Sequence, residues 1–395
     1  MDASIKRVVI IGGGIGGLCT GISLGKLGLE VEIYEQAEEF RAAGAGLTIW
    51  ANAIKALRKL GVADEVIKAG SKIERGELRT AKGRVLSRTD QGELERRFGE
   101  PTVALHRADL HEILMKALPP GTVHLGEKCV RFEEDGEVVT CHFAGGKSSR
   151  GQLLIGADGI HSIVRGQLFP EVSLRYSGYT TWRGVVETLD EAALGTTSES
   201  WGCGARFGIV RIDKERIYWF ATANVEAGLK LSPAESKGLL LERFRGWHHP
   251  VELLIKSTPA EQILHNDIYD IAPMKIWSRG RATLLGDSAH PTTPNMGQGA
   301  CMAIESSLAI ARCLRESESL AEGLRRYERG RMPRTAWITE QSRRIGRIGQ
   351  FESGLLCSLR DAFVRLAPDS LAIKQIERAV GMMKKHRGWG LGVGD

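Results

Sequence analysis

The sequence predicts an α/β protein: an open parallel sheet, interrupted by an inserted α+β domain and finished by a helical region. Three observations carry that expectation. Residues 5–11 form a β-branched run, a glycine-rich turn and an apolar stretch to Gly28 follow, and Glu30 to Glu35 alternate. A strand–helix–strand unit of this kind demands a crossover and parallel pairing. Residues 171–275 then change character, with Trp, Tyr and alternating apolar positions, before 281–286 (Arg-Ala-Thr-Leu-Leu-Gly) return to a short buried-strand pattern.

In chain order, strands are expected at 5–11 and 30–35, with a helix over 15–28 between them and another at 51–60 stopped by Gly61. The uncharged run Val8 to Gly25, behind Lys6 and Arg7, has the charge pattern of a signal peptide. Its glycines and the strand that follows without a cleavage-like site make it an internal element. Alternating segments broken by Gly83, Gly92 and Gly99 predict antiparallel strands across 75–100. A helix at 107–118 stops at Pro119-Pro120, strands at 122–132 and 137–143 meet at a turn around Asp135-Gly136, and 153–157 is a short apolar strand. In the middle region, 206–210 and 216–220 read as paired strands, 233–246 as a helix and 263–271 as a last strand. Long helices are expected from 298 onwards, broken at Pro333 and Pro368, with a frayed glycine-rich end at 388–392.

Composition narrows the function classes. The chain has 395 residues, room for two or three interleaved domains, and a net charge of only +6. That balance gives no reason to expect a nucleic-acid partner. Seven scattered cysteines without C-x-x-C, and histidines without H-E-x-x-H spacing, predict no disulfide framework, no metal site and a reducing, cytoplasmic location. No stretch reaches transmembrane length once the N-terminal run is read as buried, so no stable membrane insertion is expected.

Three motifs carry chemistry. Gly12, Gly14 and Gly17 fit G-x-G-x-x-G, with Gly16 inside it. The first glycine permits the turn, the second lets a pyrophosphate approach the backbone, and the third lets helix and strand lie close. Glu35 ends the second strand, where a carboxylate accepts hydrogen bonds from ribose hydroxyls. The unit is a Rossmann-like dinucleotide site that does not by itself separate FAD from NAD. The second motif, Gly156-Ala157-Asp158-Gly159, leads to Ser162 and Arg165, and its bland reading is a turn with a capping Asp and a structural Arg. In the third, Gly286-Asp287-Ser288-Ala289-His290-Pro291 continues through Gly297 and Gly299 into an apolar helix containing Glu305. The N–H groups at that helix start favour negative charge nearby. His290 reads as a proton relay or, equally, as a capping or solvent-facing residue, and the Arg325–Arg334 cluster as a solvated helix face.

The three motifs, in this order and separation, resemble the group A flavin-dependent monooxygenases of the para-hydroxybenzoate hydroxylase fold. Within that family the sequence is most similar to the branch of urate hydroxylase, zeaxanthin epoxidase and salicylate-type hydroxylases. The resemblance implies a glutathione-reductase-type FAD-binding domain built from 1–74, 101–170 and 276–330, a substrate domain from 75–100 and 171–275, and a helical region at 331–395. It implies that Gly12, Gly14, Gly17 and Glu35 hold the ADP half of FAD, that Arg41 and Gly46 lie along the cofactor and that Arg107 meets the diphosphate. It assigns Asp158 to FAD and NAD(P)H, Gly286 and Asp287 to the ribityl chain, and Pro291, Gly297 and Gly299 to the isoalloxazine border. The implied activity is hydroxylation or epoxidation of an aromatic or other electron-rich ring with NADH or NADPH and dioxygen, by a monomer or homodimer. Arg206 and Tyr218 are the candidate substrate residues; the competing reading makes one the start of an edge strand and the other a packed aromatic. Two further readings stay open: an epoxidase or oxidase acting on an isoprenoid or quinolone-like substrate, and a non-catalytic binding protein of the same fold. The apolar positions from Leu355 to Met383 fit helices packed on the body, a pocket lid or a membrane-surface contact.

Overall fold

The computed structural model describes residues 2, 5–40, 45–187 and 196–381, apart from the side chains of 369–372 and 381. Arg41, Met383 and the glycine-rich end at 388–392 lie outside the described residues. The strand Arg7–Ile11 is central in a six-stranded sheet. It pairs in parallel with Glu30–Tyr34 and with Leu153–Gly156, which in turn pairs in parallel with Ala282–Leu284. Val8, Val9 and Ile10 are fully buried, as strands covered on both faces must be. The helix Ile15–Gly25 packs against the helix Gly299–Arg315. Four parallel strands therefore bring Gly12, Glu35, Asp158 and Asp287 to one edge of the sheet, beyond the strands' carboxyl ends.

A second, seven-stranded sheet runs in the order Leu264–Asp270, Arg175–Glu187, Arg216–Ala223, Ala205–Arg211, Thr196–Trp201, Arg75–Thr80, Val85–Asp90. One face carries Trp182, Phe207 and Trp219 against Leu240, Phe244, Leu254 and Ile255 of the helices Pro233–Arg243 and Val251–Ser257. The first of these helices starts in a full capping box between Ser232 and Glu235. The strand registers set Val185 beside Tyr218, Val210 beside Tyr218, Gly208 beside Phe220 and Arg206 beside Thr222. These residues share the other face, opposite the one the two helices cover.

Three expectations from sequence need correction. The 75–100 region is not strand throughout: Gln91–Phe98 is a helix, because the Asp90 side chain accepts the Glu93 N–H at 3.1 Å and Gly99, at φ 74°, ends it. A short helix at Ala63–Ala69 and another at Val251–Ser257 were not expected. Pro333 does not break its helix, which runs from Leu320 to Gly349. Pro333 lies on the exposed side, where water can hydrate the carbonyl its ring releases, while buried Arg331 and Arg334 anchor the helix on either side of it. Pro368 does separate the helices Gly354–Leu366 and Asp369–Gly381.

Phe244 is fully buried, edge-on to Phe207 at 5.3 Å and to Trp247 at 4.7 Å. Phe244→Ala is expected to lower stability by about 3–5 kcal/mol in urea unfolding; a loss under about 1 kcal/mol would mean this aromatic cluster does not hold the second sheet's covered face.

Candidate active site

The glycine fingerprint divides by what a side chain would meet. A Cβ on Gly12, at φ 105°, would lie 2.3 Å from the Ala157 carbonyl oxygen, and one on Gly17 would lie 1.9 Å from the Gly12 carbonyl oxygen. A Cβ on Gly16 would meet Leu285 at 2.9 Å. Gly12 and Gly17 are demanded by backbone atoms, whereas a methyl group at Gly16 would press on the tip of a side chain. Gly14 has nothing within 4 Å of its Cβ position. Its neighbourhood opens into a cleft of about 420 Å³ lined by Gly12, Glu35, Lys128, Asp158 and His161 among others. The Glu35 carboxylate at the cleft wall accepts the Gly13 N–H at 2.8 Å and the Ala37 N–H at 2.9 Å.

The second and third motifs are bolted together. Ser288 Oγ donates to Asp158 Oδ1 at 3.0 Å and accepts the Gly159 N–H at 3.0 Å. The other Asp158 oxygen accepts the Ile163 and Val164 N–H groups at 2.7 and 3.2 Å. Arg165 is buried and donates to the Ser288 carbonyl at 3.0 Å, to the Asp287 carbonyl at 3.4 Å and to the Ile160 carbonyl. Asp158 thus caps a helix start and braces a loop, as the bland reading of the motif has it. Ser288 was not singled out from sequence; its place directly after Asp287 was the only signal.

Arg107 and Asp287 both keep accessible surface although protein surrounds them, the mark of side chains opening onto an internal cleft. Burial raises the Asp287 pKa, with Arg107 and Arg165 pulling it down. Burial lowers the Arg107 pKa, and Asp287, Arg183 and Glu35 all act on it electrostatically. Three segments distant in sequence therefore face one space. Gly46 borders it from Gly46–Ile49, where its Cβ position lies 2.6 Å from the Tyr218 ring. At the far end Pro291 is buried, Gly286 and Gly297 have φ of 63° and 60°, and a Cβ on Gly299 would meet only Thr292 at 3.7 Å. The helix Gly299–Arg315 has no side-chain cap at its N-terminus.

Arg206 and Tyr218 share a sheet face but are not brought together. Arg206 is buried, and its guanidinium donates to Gln350 at 2.9 Å, Glu199 at 3.1 Å and Asn295 at 2.7 Å, with the Tyr179 ring 5.4 Å away. It ties the second sheet to the 294–297 turn and to the end of the long helix. Tyr218 sits in an apolar group with Ala45, Val210 and Ile212, flanked by Val185, Phe220 and Leu264. Burial pushes its pKa up to about 12, against the pull of Arg183, so it is a neutral phenol at physiological pH. Arg183, not singled out from sequence, acts on both Tyr218 and Arg107, and its buried Nε has no hydrogen-bond partner.

Two expectations change. His290 is neither solvent-facing nor placed to relay protons: it is buried, 5.3 Å from the Trp277 ring, with Nδ1 unpartnered. Burial first, then Arg331, lowers its pKa to about 3. Arg331 and Arg334 are not on a solvated face. They clamp buried Glu305, each at 2.8 Å, and Asn52 donates to the same carboxylate at 2.6 Å. The signal was Glu305 itself, the one acid on an apolar helix, facing two arginines three apart on another.

A cleft at the glycine gap, with accessible Arg107 and Asp287 and an uncapped helix start at Gly299 in the same fold, fits a flavin dinucleotide. The fold and cleft define a flavoprotein oxidoreductase. The chain belongs to the FAD binding domain family, whose model matches residues 6–342, and is a group A flavin-dependent monooxygenase. It is 41% identical to "Aurachin C monooxygenase/isomerase" of Stigmatella aurantiaca over 91% of this chain and 94% of that one. It is 32% identical to the FAD-dependent urate hydroxylase of Klebsiella pneumoniae over 86% and 89%. The solved structure of Klebsiella pneumoniae HpxO with FAD and uric acid superposes with a TM-score of 0.89 at 29% identity, over 95% of this chain and 96% of that one.

Gly14→Ala is expected to leave apoprotein stability within about 0.5 kcal/mol, since nothing opposes the methyl group, while weakening FAD binding at least tenfold. Gly17→Ala is expected to cost about 3 kcal/mol or more in unfolding. Equal effects of the two on stability would contradict the division between packing and ligand glycines. His290, protonated when unfolded below about pH 6.5 but neutral when folded down to about 3, makes folding stability fall as pH drops through that window. Thermal melts of His290→Gln should show a shallower loss between pH 6 and 4 than the parent.

Proposed function

We propose that this monooxygenase inserts oxygen into a lipophilic fused aromatic ring of quinolone type. The observation that carries the reading is the chemistry of the second sheet's face opposite its covering helices. Around Tyr218 it offers Val185, Val210, Phe220 and Leu264, with Arg183 as the polar neighbour. Arg206, the polar group a purine anion would call on, is spent on Gln350, Glu199 and Asn295. An apolar wall of this kind favours a flat, weakly polar ring and keeps water from the reacting atoms. The high identity to a protein named for aurachin C gives the same direction.

In this reading Gly12, Gly14, Gly16, Gly17 and Glu35 hold the adenosine and pyrophosphate end of FAD, Arg107 neutralises the diphosphate, and Gly286 and Asp287 take the ribityl hydroxyls. Asp158 supports the loop through Ser288. Pro291, Gly297 and Gly299 border the ring system, and the uncapped N–H groups of the 299–315 helix hold negative charge developing there. FAD, when bound, supplies the redox and oxygen-transfer chemistry, fed by NADH or NADPH and dioxygen. The Tyr218 phenol donates a hydrogen bond to an oxygen on the substrate ring, and Arg183 orients that same edge. We assign 1–74, 101–170 and 276–330 to the FAD-binding domain, 75–100 and 171–275 to the substrate domain and 331–395 to the helical region. All seven cysteines are free thiols, which fits a reducing, cytoplasmic location; a monomer or homodimer is the assembly we assign.

The test is NADH and NADPH consumption by the FAD-loaded enzyme with 2-alkylquinolones, simple phenols and uric acid, under labelled dioxygen with product mass. Quinolones should stimulate consumption at least about tenfold over the other classes and gain one labelled oxygen. Tyr218→Phe should lower kcat/KM about tenfold while leaving FAD absorbance intact. Uric acid acting as the better substrate would sink the proposal.

A further inference from the structure

The helix Gly354–Leu366 is sided in an unusual way. Leu355, Leu356, Leu359, Phe363 and Leu366 are 70%, 45%, 58%, 71% and 76% exposed. At about 100° per residue these five fall within an arc of about 100° on the helix, so they form one stripe. The opposite side is fixed to the body. Cys357 and Arg360 are buried, and Arg360 donates to the carbonyls of Gly202 at 3.2 Å, Gly349 at 3.3 Å and Ile348 at 3.5 Å. Its guanidinium also lies 5.2 Å from the Trp201 ring. The helix is therefore a fixed platform that turns its apolar side outward. A lid would close that side over a pocket.

Cations flank the stripe. Arg344 and Arg347, on the last turns of the preceding helix next to half-exposed Ile348, and Arg365 on the platform are exposed and have no acidic partner among the described residues. Of the acids nearest in sequence, Asp361 is held by Arg360 at 2.9 Å and Glu352 accepts from Asn224 at 2.9 Å. An apolar stripe edged by unpaired arginines is complementary to a surface that is oily within and anionic at its headgroups. A second copy of this chain would set the same cations against each other across a two-fold axis.

We propose that the 354–366 stripe docks this enzyme reversibly on an anionic lipid surface, with Leu355, Leu359, Phe363 and Leu366 entering the headgroup region and Arg344, Arg347 and Arg365 meeting lipid phosphates. None of the described helices is long and apolar enough to cross a membrane, so the contact is peripheral. The inference stands on the surface alone and does not depend on the substrate assigned above.

The experiment is flotation of the FAD-loaded full chain with phosphatidylcholine vesicles, with and without phosphatidylglycerol, alongside light scattering for oligomeric state. Binding is expected to the anionic vesicles, at least tenfold weaker to phosphatidylcholine alone and weakened by salt. The Leu359→Glu/Phe363→Glu variant should lose at least tenfold in vesicle partitioning while keeping its flavin spectrum and its NAD(P)H turnover on a detergent-free, water-soluble substrate. Arg344→Glu/Arg347→Glu should lose the preference for anionic lipid and leave any residual binding salt-independent. Absence of binding to either vesicle, or partitioning unchanged in Leu359→Glu/Phe363→Glu, overturns the proposal. So does a dimer that this variant dissociates, which would assign the stripe to a second copy.

Discussion

The structure depends on one small contact, the hydroxyl of Ser288 between Asp158 and Gly159. It joins two strand ends that are about 130 residues apart in sequence, and it does so where the parallel sheet stops supplying backbone partners. Without it the Asp158 carboxylate would still cap its short helix, but the direct link from that carboxylate to the 286–291 loop would be lost. Arg165 reinforces the joint from below by filling the carbonyls of residues 287 and 288. These partners are satisfied within the protein itself, and Asp287 keeps accessible surface beside them.

The glycine-rich turn shows how the same residue type serves two purposes within six positions. Gly12 and Gly17 are required by backbone atoms of the protein itself, whereas nothing within the protein opposes a side chain at Gly14. From sequence the fingerprint already read as a strand, a turn and a helix, because local sterics and the βαβ unit are both encoded within 30 residues. The Gly-Asp-Ser motif was legible in kind for the same reason: a buried strand that ends in Gly-Asp must put a carboxylate beyond the sheet. What linked the motifs was not legible, since a serine hydroxyl carries no periodic or compositional mark and its partners are chosen by tertiary placement.

The same limit explains the misread arginines. Arg331 and Arg334 sit in a run dense with charge, and a one-dimensional reading of such a run gives a wetted face. Only the crossing of two long helices reveals that Glu305 is opposite them and that water is absent. His290 was opaque for a related reason: its neighbours Ala289 and Pro291 describe a loop, while the Trp277 ring that packs beside it comes from elsewhere in the chain. Pro333 failed as a helix breaker because propensity is a local cost, and it was outweighed by the buried ion pairs two residues before and one residue after it. The substrate face was the least legible part. The family resemblance named Arg206 and Tyr218 on neighbouring strands, and register placed Arg206 opposite Thr222 and Tyr218 opposite Val210, too far along the sheet to act as one pair.

The buried charges give the C-terminal helices a part in the site that their distance from the motifs conceals. Glu305 sits two turns into the 299–315 helix, and its carboxylate holds Arg331, Arg334 and Asn52 together; Asn52 in turn donates to Gln298, the residue before that helix, at 3.1 Å. Burial opposes its ionisation, and the two arginines overcome this to bring its pKa to about 2. The cluster has two cations for one anion, so it leaves excess positive charge in a low-dielectric region behind the helix start. That charge adds to the helix dipole at its N-terminal end, and both favour an anion in front of it. Breaking the cluster would therefore disturb helix packing and the local potential together. The long helix, whose far end holds Arg206 through Gln350, consequently couples the charge behind one wall of the cleft to the polar network behind the other.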